Sequence, residues 1–172
     1  MRKFFFIVLI LFIVFSCGDG DLQIETIDFD DISIQYCDDP VADSNNILFK
    51  INESEALILN LQSGALNNGV VGETITTESA VSSESTITYR IFSDDVSSDY
   101  FCTDIPLASP TVVEEVEAED GTVFIETISD TDATNYVHTI TLSGISFVNT
   151  TGERITNLTI DDFGEVTTVI PD

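Results

Sequence analysis

The sequence predicts an all-β domain, an antiparallel β-sandwich of immunoglobulin-like or jelly-roll-like kind, with a closed β-barrel as the alternative. Three observations point to this class. Short alternating or β-branched apolar runs recur along the chain, and clusters of Asp, Ser, Asn and Gly separate them. Roughly ten such runs fall within about 150 residues, the density of a sandwich or barrel. No repeat of 20 to 50 residues and no internal linker divides them.

In chain order the expected strands are 22–27, 32–37, 47–51, 56–61, 70–76, 86–92, 112–118, 122–128, 136–142, 145–148, 155–160 and 165–170. The clearest is the run from Thr86 to Phe92. Ile87, Tyr89 and Ile91 share one face there, and Thr86, Thr88 and Arg90 the other. Two hairpins are expected. Asp120-Gly121 carries the signature of a type I′ turn joining 112–118 to 122–128. Asn149-Thr150-Thr151-Gly152 joins the 136–148 region to 153–160, with Gly152 free to take a left-handed conformation. Residues 54–61 and 94–100 are the places where a helical turn competes with strand.

The first residues differ from the rest. Met1-Arg2-Lys3 precedes twelve apolar residues, Phe4 to Phe15, and then Ser16. Two positive charges, a short apolar run and a small residue predict a secretory signal peptide over 1–16. Twelve residues span only about 18 Å as a helix, short of the roughly 30 Å hydrocarbon core, so a stable transmembrane anchor is not expected.

Val14-Phe15-Ser16-Cys17 resembles the bacterial lipobox, with Phe15 departing from the usual small residue. The resemblance implies that Cys17 is lipidated and becomes the first residue of the mature chain. Two or three acyl chains, at about 0.8 kcal/mol per buried CH₂, hold a protein persistently at a membrane. Cys17-Gly18-Asp19-Gly20-Asp21 then reads as a flexible acidic tether over 17–21. It is similar to the short acidic signals of surface lipoproteins in Bacteroidetes, flavobacteria in particular. The expected organisation is therefore signal peptide, tether, and one β-sandwich domain over 22–172.

Charge excludes other classes. The chain carries 31 acidic and 5 basic residues, a net charge of −26. Removal of 16 residues leaves 156 of 172 and takes two of the five cations, so the side-chain balance becomes −28. Such a surface repels phosphate backbones, and no nucleic-acid partner is expected.

With Cys17 consumed by lipid, Cys37 and Cys102 form an even pair suited to a disulfide in an oxidising compartment. Tyr100 and Phe101 are expected to pack beside it. Acidic clusters fall mostly in turns. Asp130, Asp132 and Asn135 offer two carboxylates and an amide oxygen, the kind of ligands calcium takes, but lack the Gly and distal Glu of an EF-hand loop. The 38–43 segment is of similar quality. No other cofactor is expected. Glu115, Glu117 and Glu119 line one face of a strand and read as an edge protected against aggregation.

His138, the sole histidine, shares a face with Tyr136, Ile140 and Leu142 and reads as structural. No Gly-x-Ser-x-Gly elbow is present, and no Ser or Cys nucleophile has a recognisable base. The expectation is a non-enzymatic envelope lipoprotein anchored to the bacterial outer membrane. Its role is a binding or structural accessory to an envelope protein or glycan, and its head faces the cell surface or the periplasm. A surface glycan or peptide hydrolase using paired carboxylates is the alternative.

Overall fold

A computed structural model describes residues 26–170 apart from 68, 106, 133, 150, 151, 153 and 156. The expected signal peptide, Cys17 and the tether lie outside the described residues, as do residues 22–25. The described elements are β1 (Thr26–Asp28), β2 (Asn46–Asn52), β3 (Glu55–Leu61), β4 (Ile75–Ala80), β5 (Thr86–Phe92), a helical turn α1 (Asp99–Cys102), β6 (Val112–Ser129), β7 (Asn135–Val148), β8 (Arg154–Ile155), β9 (Asn157–Thr159) and β10 (Asp162–Val169).

The domain is all-β and sandwich-like. One eight-stranded antiparallel sheet runs β10-β7-β6-β5-β3-β2, with β4 also pairing β6 and β8 pairing β7. β1 and β9 form a separate two-stranded parallel pair. Among the described residues β10 and β2 do not pair, so the barrel alternative is not realised.

The large sheet folds over on itself through β6. Its first part pairs β5, from Val112 opposite Phe92 to Glu117 opposite Thr88. From Ala118 onward it pairs β7, while Thr122 to Thr127 also pair β4. At the junction the burial phase changes. Val116 and Ala118 point inward before it, and Val123 and Ile125 after it. A strand has period two, so this shift from even to odd requires an irregularity. It lies between Ala118 and Thr122, opposite a matching phase change between Leu142 and Phe147 in β7.

Here the Asp120-Gly121 hairpin is corrected: residues 112–129 are one strand, and the Asp-Gly pair is a bulge rather than a turn. Gly121 has φ +134°, and a Cβ there would lie 2.5 Å from Ile145 Cδ1 and 3.0 Å from Ile145 Cα. The glycine permits both the conformation and the close approach of β7. Corners of this kind let one strand serve two layers.

Residues 136–142 and 145–148 likewise join into β7, and 155–160 divides into β8 and β9. The first ambiguous stretch is strand over Glu55–Leu61, and the helical turn falls at the end of the second. The second hairpin is present: Phe147 pairs Ile155, and Gly152 has φ +84° with its N–H donated to Asn149 O.

Both layers turn their apolar faces to one core. Leu57, Leu59, Ile87 and Tyr89 come from one side, Val123, Ile125, Ile140 and Leu142 from the other. Each fully buried aliphatic side chain stabilises the fold by roughly 1.5–3 kcal/mol. Ile27 and Phe29 bring the parallel pair into the same core.

Lys50 is buried within it. Its Nζ donates to Phe29 O at 2.7 Å and Asp162 O at 2.8 Å, and lies 5.4 Å from the Phe163 ring centroid. Desolvation holds its pKa below the ordinary lysine value, offset in part by Asp162, Asp30 and Asp31. The side chain thus ties β2 to the segments that follow β1 and open β10.

Candidate functional site: a groove on the outer face of the sheet

β2, β3 and β5 carry a second apolar surface on the face away from the main core. Register places Phe49 beside Ile58 and Ile58 beside Thr88, with Ala56 beside Arg90. One end of this face is covered. Ala56, Phe92 and Val96 form a small buried cluster there, with Ile51, Tyr100 and Phe101 packed against it.

The cover is held in place by the disulfide, Cys37–Cys102, with an S–S distance of 1.99 Å and a Cα–Cα distance of 5.2 Å. Phe101 stacks on Phe49 with centroids 4.5 Å apart, and Tyr100 meets Phe92 edge-on at 4.9 Å. The aromatics beside Cys102 therefore do pack next to the bridge.

Where the cover stops, the face opens into a groove of about 700 Å³. Its floor is formed by Ile47, Ile58, Asn60, Thr86, Thr88 and Arg90. Phe101 and Cys37 make one wall, and Asp38, Asp39, Val41, Ser44 and Asn45 make the rim. Asn46 holds the rim loop in shape: its Oδ1 accepts from Val41 N, and its Nδ2 donates to Val41 O and Ser44 O. The Arg90 guanidinium is engaged by Glu115 of β6. The floor mixes the apolar side chains of Ile47 and Ile58 with hydroxyl, amide and guanidinium groups, and the rim carries Asp38 and Asp39. That combination suits a ligand with an apolar body and a few polar or cationic groups.

The other residues singled out in the sequence are used differently. Asp130 organises its own loop. It accepts from Thr134 N at 2.8 Å, Thr134 Oγ1 at 2.9 Å and Asn135 Nδ2 at 3.0 Å. Desolvation raises its pKa, but these hydrogen bonds outweigh it and bring the carboxyl down to about 2. Asn135 turns its amide NH₂ toward Asp130, so its donor group, rather than its oxygen, faces that carboxylate. Asp130 and Asn135, two of the three expected calcium ligands, are thus hydrogen-bonded to each other within one turn. Among the described residues no group of three or more His, Cys, Asp or Glu is placed to hold a metal.

His138 is fully buried on the core side of β7. Its Nδ1 is 2.8 Å from Thr127 Oγ1 and its Nε2 2.8 Å from Thr168 Oγ1, a bridge across three adjacent strands. Burial pushes its pKa down to about 4. It is remote from the groove lining.

The groove itself is not announced by any local motif. Its residues come from four separated segments of the chain, brought together by the pairing of β2, β3 and β5 and by the Cys37–Cys102 bridge. No family model, curated protein or solved structure matches this chain. Among the described residues no helix is long and apolar enough to cross a membrane.

Proposed function

We propose that this protein is a lipid-anchored lipoprotein of the bacterial outer membrane, and that its sandwich domain is a non-catalytic binding module acting through the groove. The single observation that supports binding is the groove: half of the outer sheet face is sealed by a disulfide-stapled cover, and the other half is left as a shaped, mixed-polarity cavity. Ile47 and Val41, 58% and 53% exposed, both line this cavity, and exposed apolar side chains gathered at a groove support a binding role. The resemblance of Val14–Cys17 to a lipobox supports the anchor.

Two experiments test the two halves of this reading. Replacing Cys17 by Ala should move the protein from the membrane to the soluble fraction, and retention in the membrane would refute the anchor. For the groove, Ile methyl spectra of the membrane-extracted protein should be recorded against neutral oligosaccharides and against acidic and basic peptides. Binding should shift Ile47 and Ile58, and Thr88→Arg should abolish it by filling the floor. Binding that persists unchanged in Thr88→Arg would place the site elsewhere.

A further inference from the structure

β2 is an edge strand whose covering segment stops short. Gln35 and Phe49 exchange both main-chain hydrogen bonds, at 2.7 and 2.9 Å. Phe49 therefore points its N–H and C=O away from β3, and the two-residue period directs those of Ile47 the same way. Continued antiparallel pairing would set Cys37 opposite Ile47. Cys37 is instead bonded to Cys102, and the chain leaves the edge. Among the described residues, no main-chain group pairs with Ile47 on that side. The gap coincides with the groove, since Ile47, Cys37, Asp38 and Asp39 all line it.

Charge restricts what fills this gap. Asp38 and Asp39 border it, the chain as a whole carries −26, and the cation in the floor, Arg90, is engaged by Glu115. An anionic ligand is repelled, whereas a cationic one meets complementary charge.

We propose that the groove takes an extended basic peptide segment of a partner protein, which adds as a strand to the edge of β2 at Ile47. This rests on the reading of the groove as a binding site and names its ligand class. Main-chain hydrogen bonds to Ile47 supply the pairing, as in other cases of strand addition to an exposed sheet edge. Alternate side chains of the added strand face the groove. A lysine or arginine there lays its aliphatic stem along Ile47 and Ile58 and carries its charge to Asp38 and Asp39.

The test uses the membrane-extracted protein and the probe acetyl-Val-Lys-Val-Lys-Val-Lys-amide. The peptide should shift the Ile47 and Ile58 methyls and the Cys37 amide. Its affinity should fall about tenfold in Asp38→Asn/Asp39→Asn and when Glu replaces Lys in the probe. Backbone N-methylation of alternate probe residues gives two peptides of equal charge and composition. One should lose binding about tenfold or more and the other should retain it, because only one set of amides faces β2. Equal binding of both N-methylated peptides would overturn strand addition. If the basic probe is inert while a neutral oligosaccharide shifts the same methyls, the peptide assignment fails and the binding groove stands. If neither probe moves them, both fail.

Discussion

Acidification should destabilise this domain through one buried imidazole. In the fold, His138 is held at a pKa of about 4, against an ordinary value of 6.5. As pH falls through 6.5 the unfolded chain takes up a proton that the folded chain refuses until about pH 4. The contribution to stability is therefore complete above about pH 6.5 and lost on the way down to about 4. The full span is roughly 3 kcal/mol, of which about 2 kcal/mol has gone by pH 5. For a domain of this size that corresponds to a fall in Tm of roughly 4–8 °C. Many carboxylates titrate in the same window, so the assay is a difference. Urea unfolding of the wild type and of His138→Gln should be compared at several pH values between 8 and 5. The wild type should lose about 2 kcal/mol more than the variant over that range. Because the chain has one histidine, its imidazole resonances give a direct reading as well. Parallel stability curves for the two proteins, or an imidazole that titrates near 6.5 in the folded state, would refute the reasoning.

Gly121→Ala should cost about 3 kcal/mol, since a side chain there meets Ile145 Cα as well as an unfavourable φ, and chemical denaturation measures it. Replacing Lys50 by Met keeps much of the stem but orphans Phe29 O and Asp162 O, and should destabilise by about 2 kcal/mol in the same assay. Opening the Cys37–Cys102 bridge, as Cys37→Ser/Cys102→Ser, removes a cross-link of sequence separation 65 and should cost about 4 kcal/mol. The methyl shifts of Ile51 and Ile58 should report release of the cover in that variant. Glu53 occupies φ +55° in the tight turn between β2 and β3, so Glu53→Gly should raise stability by up to about 1 kcal/mol, visible as a small rise in Tm.

The elements that were legible are those in which alternation and packing agree. β2, β3 and β5 follow the expected runs within a residue or so, because each has one face on a core. The errors share a physical origin. Asp-Gly is a turn signature because it tolerates positive φ, and a bulge exploits the same tolerance, so local chemistry alone does not separate a reversal from a kink at residue 121. Ser143-Gly144 similarly breaks the pattern of β7 without ending the strand. Residues 32–37 have the composition of a strand but pair only at Gln35, since the disulfide diverts the chain two residues later. The disulfide pairing followed from counting cysteines. The groove did not follow from anything local, because its floor is a product of strand register.

β6 belongs to both layers as one covalent strand, and this bears on how the molecule comes apart. Neither layer can be peeled off as an intact unit: removing β5 and its neighbours strips one end of β6, and removing β7 strips the other. The domain should therefore open as a single cooperative foldon, with the most protected amides of Tyr89, Val116, Val123 and Ile140 reporting one common opening free energy. A cut at 120–121 would leave two fragments that each lack half of their sheet. The corner of the sheet is thus covalently continuous, and it offers no boundary at which the two layers part.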